Sequence, residues 1–176
     1  MKKNLIALTI AATAVLSAAN TFAAAGQVNF TGEIIDAGCD VINTVSNPLQ
    51  VNLGQVAKSE FVNTGDTAAA TGFNIQLTNC PVTVSTASIK FDGTALNGDN
   101  SILQLTQDAG VATGVGIQLS DASGAVVPLA QQSAAYALQS GSTMNNLPFI
   151  ARYKSVASTV TAGPANGVAN FSVIYN

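Results

Sequence analysis

The sequence predicts an all-β fold, an antiparallel β-sandwich, on three observations. Apolar and polar residues alternate over short runs, most clearly as Phe73, Ile75 and Leu77 against Asn74, Gln76 and Thr78. Turn pairs such as Asp92-Gly93, Asn97-Gly98 and Asn166-Gly167 separate such runs. Beyond the leader, no helix of real length is predicted. A closed barrel is the alternative architecture.

Taken in order, the chain opens with an address label. Lys2 and Lys3 precede an apolar run over residues 5–16 and a small-residue site at Thr21-Phe22-Ala23, the layout of a secretory signal peptide over residues 1–23. Cleavage is expected after Ala23, with Ala25 as the alternative. Val28, Phe30 and Ile34 alternate with Asn29, Thr31 and Glu33, which predicts a first strand over residues 28–35. After Asn47-Pro48, Leu49, Val51 and Leu53 predict a second, ended or bent by Gly54. Residues 57–72 read as a surface connection with a short edge strand near Phe61. The strand of residues 73–78 then leads into Cys80-Pro81. Residues 82–89 and Phe91 are expected to be extended, followed by apolar positions at Ile102, Leu103 and Leu105. Val115, Ile117 and Leu119 alternate before a turn at residues 121–124, and residues 134–138 favour strand over helix. Phe149, Ala151 and Tyr153 alternate with Arg152 and Lys154.

The final run, residues 168–176, places Ala169, Phe171, Val173 and Tyr175 on one face and Asn170, Ser172 and Asn176 on the other, with Ile174 off the pattern. Such a strand needs its edges covered by an earlier strand, by solvent or by another molecule.

Composition narrows the chemistry. The 176 residues suit one domain; they are 48% apolar and only 9% charged, so the surface is largely uncharged and polar. A net charge of -3 and the lack of a basic patch argue against a nucleic-acid partner. Two cysteines in an exported chain, Cys39 and Cys80, read as one disulfide. Closing that loop stabilises the fold by roughly 4 kcal/mol in the chain-entropy model. The sequence has no His, which excludes Ser-His-Asp and Cys-His sites. The scattered acids sit mostly beside Gly, Asn or Ser, as turn residues do. Ser88 with Lys90 reads as a solvated strand face rather than a Ser-Lys pair, and Leu119 stands where a dinucleotide fingerprint after Gly114 and Gly116 needs glycine. No enzyme activity, cofactor or metal is expected.

The stretches VNFTGEIIDAGC, FNIQLTNC, ATGVGIQLSD and ANFSVIYN, in that order, resemble the fimbrial subunits of the chaperone-usher pathway, close to the type 1 major pilins. The resemblance covers essentially the whole chain after the leader. It implies an incomplete immunoglobulin-like β-sandwich lacking its last strand, completed by a donor strand from a neighbouring subunit. A groove is implied beside residues 168–175, with Ala169, Phe171, Val173, Tyr175 and Asn176 as groove and chaperone contacts. A periplasmic chaperone fills that groove first. At the outer-membrane usher, the extension of the next subunit, residues 24–30, replaces it through Ala24, Gly26, Val28 and Phe30, and residues 31–176 form the pilin domain. Cys39 and Cys80 match the family disulfide. The implied function is a structural subunit of a surface fimbria, exported through the periplasm, that polymerises head to tail with copies of itself or related pilins and supports cell adhesion.

Two other readings stay open. An exported monomeric immunoglobulin-like binding module would cover its final strand within its own chain. A carbohydrate-binding adhesin would need a lectin domain for which this chain has no room, and the sequence has no Trp.

Overall fold

The longest alternating runs form the middle of the larger of two sheets. The computed structural model describes residues 26–32, 34 and 38–175. Along the described chain run β1 (Asp40–Val41), β2 (Thr67–Thr78), β3 (Thr86–Asp92), β4 (Ala95–Leu96), β5 (Asp99–Leu103), β6 (Val115–Asp121), β7 (Tyr136–Ala137), β8 (Asn145–Ser155) and β9 (Asn170–Tyr175). The larger sheet has the order β1-β2-β8-β6-β5-β4, the smaller β7-β3-β9, and every pairing is antiparallel. In register, Phe73 lies opposite Phe149 and Ile75 opposite Leu147.

The inward faces of the two sheets meet in one core. Ile75, Leu77, Ile117, Leu119, Leu147 and Phe149 come from the larger sheet, and Ala87, Ile89 and Phe91 from the smaller. The rings of Phe91 and Phe149 meet edge to face across the layers with centroids 5.1 Å apart, and Phe73 stacks on Phe149 at 5.8 Å. Two separate sheets packed this way make a sandwich and not a closed barrel. The Cys39–Cys80 disulfide, with Cα atoms 4.1 Å apart, ties the approach to β1 to the end of β2.

The chain divides into two units, residues 1–34 and 35–176. In the first, the described residues 26–32 and 34 form no strand, contrary to the alternation over 28–35, and Val28, Phe30 and Ile34 are exposed. Alternation prepares a face for burial; a strand also needs a ladder for its main chain. The leader over residues 1–23, Ala24, Glu33, Ile35 and Asn176 lie outside the described residues.

Three further departures lie in the second unit. The expected strand at 49–53 has no ladder, although Val51 and Leu53 pack against the core. Near Phe61 the chain makes a 3-10 turn, Lys58–Glu60, in place of an edge strand, and Phe61 itself packs on the core. β2 begins at Thr67, earlier than expected, because the short side chains of Ala68, Ala69 and Ala70 blur the alternation, and the register shifts there with Ala69 at φ 55°. Conversely, β3 begins only at Thr86, since the Val84 N–H closes a turn onto the Pro81 carbonyl at 3.1 Å. The preference for strand over helix at 134–138 holds for the two residues of β7.

Candidate functional site

The last strand is organised differently from every strand at the centre of the sandwich. β9 pairs with β3 alone: Phe171 lies opposite Phe91, Val173 opposite Ile89 and Tyr175 opposite Ala87. The β3 partners are buried, with Ala87 and Ile89 at 0% exposure. Phe171, Val173 and Tyr175 point at the same core yet stay half-exposed, while Asn170 and Ser172 face solvent. Among the described residues, nothing pairs with the second edge of β9. Ala169 packs half-buried just before the ladder begins, and Val168 is exposed. Ile174, off the pattern, lies opposite Ser88 and is half-buried.

A second unpaired stretch accompanies it. Among the described residues, no main-chain hydrogen bond reaches residues 48–56 except the one that the Gly54 N–H gives to the Asn52 side chain at 2.8 Å. Val51, Leu53 and Val56 nevertheless turn inward onto the core. The chain from Gly38 to Phe61 meets the chain before and within β9 at both ends. At one end the Tyr175 hydroxyl accepts from the Cys39 N–H at 3.0 Å and donates to the Cys39 carbonyl at 3.3 Å. The ring lies on Gly38, where a Cβ would come within 2.5 Å of it, so any side chain there would push the ring off Cys39. Burial pushes the Tyr175 phenol above its ordinary pKa. At the other end, Val56 and Phe61 face Val160 and Ala165 across a cleft of about 360 Å³ floored by Val115 and Tyr153. The Tyr153 hydroxyl donates to the Ala165 carbonyl at 2.9 Å. Residues 48–56, without a ladder, and β9, laddered on its β3 side, thus pack on one apolar core, an arrangement suited to receiving an extended segment.

The charged groups serve turns and surface. Asp121 accepts from the N–H and hydroxyl of Ser123 and from the Ala125 N–H, and these bonds hold its pKa below the usual value. The Lys90 ammonium lies 3.7 Å from the Asp92 carboxylate on its own strand, while Ser88 is buried. Among the described residues, no group of three or more His, Cys, Asp and Glu side chains is placed to hold a metal ion.

Of the residues singled out from sequence, β9 gathers Phe171, Val173 and Tyr175, with Ala169 beside them. Gly26, Val28 and Phe30 belong to the first unit, and Ala24 and Asn176 lie outside the described residues. Sequence reasoning missed the bonds of the Tyr175 hydroxyl to Cys39 and the need for glycine at 38; the adjacency of Gly38 to Cys39 was the only trace of either.

A β-sandwich with its last strand paired on one side and an apolar gap beyond it is the frame of an incomplete immunoglobulin-like domain. The chain belongs to the fimbrial protein family, whose model matches residues 28–176. It is 40% identical to the A chain of type 1 fimbrial protein from Escherichia coli strain K12, over 97% of this chain and 94% of that one. With the probable major fimbrial subunit LpfA of Escherichia coli O157:H7 it shares 38% identity, over 99% and 97%. Among solved structures it resembles a chaperone-usher pilus whose rod uncoils (29% identity, TM-score 0.64, covering 86% and 95%) and the P pilus rod subunit PapA (28%, 0.64, 80% and 100%). An antigen and type I fimbria protein of Burkholderia pseudomallei matches at 36% identity and a TM-score of 0.61, covering 85% and 97%. The chain is a fimbrial subunit of the chaperone-usher type, and its relatives are structural components of surface fimbriae.

Proposed function

We propose that this subunit polymerises by donor-strand exchange. The observation that carries the reading is the edge of β9, unpaired among the described residues, with Phe171, Val173 and Tyr175 half-exposed above the core and residues 48–56 packed on that core without a ladder. A strand added between them would bond to main chain on both sides and turn alternate side chains onto the apolar floor. The donor is the extension of the next copy, residues 24–30, with Ala24, Gly26, Val28 and Phe30 facing inward. Its alternation continues through Gly32 to Ile34, and the exposure of Val28, Phe30 and Ile34 is what a donor requires. Residues 31–176 act as the acceptor domain. Donor and acceptor occupy different surfaces, so the contact is heterologous and propagates into a filament.

Before assembly a periplasmic chaperone occupies the same groove, meeting the end of the chain at Tyr175 and Asn176, and the outer-membrane usher is where the next extension displaces it. Residues 1–23 direct export and are removed. The finished fibre stands on the cell surface and supports adhesion. A monomeric binding module would keep its last strand covered in its own chain, and a β9 edge unpaired among the described residues weighs against that reading. The test is Phe171→Asp or Val173→Asp in the full chain, expressed with its chaperone and usher. A charge facing the groove floor is costly to bury, so surface fibres should be absent by electron microscopy. Normal fibre density from either variant would remove the groove from the mechanism.

A further inference from the structure

Tyr175, expected from the sequence to meet a partner molecule, gives its hydroxyl to its own chain. The oxygen accepts from the N–H and donates to the carbonyl of one residue, Cys39, at 3.0 and 3.3 Å, so its donor and one acceptor site are both used. Cys39 is nearly buried and covalently joined to Cys80 beyond the end of β2. Tyr175 ends β9 in the smaller sheet, whereas Cys39 leads into β1 in the larger. The hydroxyl therefore spans the two layers at one end of the groove, and the absence of a side chain on Gly38 is what lets the ring reach that far.

We propose that Tyr175 is a positioning residue, a latch that fixes the width of the groove at this end and leaves a partner strand only its ring. The inference rests on the strand-exchange reading. With the latch closed, the β9 edge and the chain leaving Cys39 are held apart at one spacing before any strand arrives. Without it, the end of β9 would be ordered only on binding, and that cost falls on the complex. Phenylalanine at 175 would keep the ring on Gly38 but leave the Cys39 N–H and carbonyl without the hydroxyl.

The experiment titrates the chain from Ala24 onward with a synthetic peptide of residues 24–35, comparing wild type with Tyr175→Phe and Gly38→Ala. Both variants should bind about tenfold more weakly, mainly through faster dissociation, as expected when one or two hydrogen bonds are lost. A purely structural role would lower the peptide-free unfolding midpoint and leave the affinity of the folded fraction unchanged, and that outcome overturns the latch. Amide exchange gives an independent reading in the wild type: the Cys39 N–H should exchange slowly without peptide, and fast exchange also overturns it. Failure of the wild-type chain, shown to be monomeric by sedimentation, to bind the peptide would instead reject the strand-exchange reading, and this inference with it.

Discussion

β8 and β9 carry the same kind of sequence and meet different fates. In β8, Leu147, Phe149, Ala151 and Tyr153 alternate with outward residues, and in β9, Phe171, Val173 and Tyr175 do the same. β8 is paired on both sides, by β2 and β6, and Leu147 and Phe149 are each 1% exposed. β9 is paired on one side and its inward residues remain half-exposed. Alternation therefore specifies which face a strand buries, and the number of ladder partners specifies how completely. The difference between complete and incomplete burial is what the proposed strand exchange would use.

The comparison breaks most visibly at its buried half. Phe149→Ala removes a ring that meets Phe73, Phe91 and Tyr136, and should cost about 3–5 kcal/mol in denaturant unfolding whether or not a donor peptide is present. Replacing Cys39 and Cys80 together by Ala comes next, at about 2–5 kcal/mol, because the closed loop no longer restricts the unfolded chain. Phe171→Ala sharpens the contrast. Its ring is only half-buried, so the peptide-free chain should lose about 1–2 kcal/mol, well under the Phe149 effect. With saturating donor peptide the loss should grow, since the added strand completes the burial. Equal losses at 149 and 171 without peptide would mean that β9 is already covered.

The smallest effect is read from pH. Burial raises the pKa of the Tyr153 phenol, which lies in the cleft and donates to Ala165. Folding holds it neutral while the unfolded chain ionises at about pH 10, so its contribution is complete below that value and lost as pH rises beyond it. Melting temperature should fall above about pH 10, and the fall should be shallower in Tyr153→Phe. An identical slope in the variant would mean that Tyr153 is not sequestered.

Much of this architecture was readable in the residues. The alternation at Phe73, Ile75 and Leu77, at Val115, Ile117 and Leu119, and at Phe149, Ala151 and Tyr153 marks three adjacent strands of the larger sheet, and the two cysteines form the disulfide. Residues 28–35 and 49–53 carry equally regular patterns, yet their described residues lack ladders. Side-chain periodicity contains no information about whether a partner strand lies alongside, and the proposed function turns on that partner. The latch was invisible for another reason: Tyr175 and Cys39 are 136 positions apart, and nothing local marks which main-chain groups a phenol will meet. The 3-10 turn before Phe61 is likewise unmarked in the sequence, although the ring that follows it packs on the core.

The central claim is that the edge of β9 accepts a strand. It is tested most directly by the unfolding midpoint of the chain from Ala24 onward, measured against increasing concentrations of the peptide of residues 24–35. A strand that binds only the folded acceptor must raise the midpoint steadily, with the stabilisation growing as the logarithm of peptide concentration above Kd. A chain shown to be monomeric whose midpoint stays constant over that range already has β9 covered within itself, and the account would be wrong.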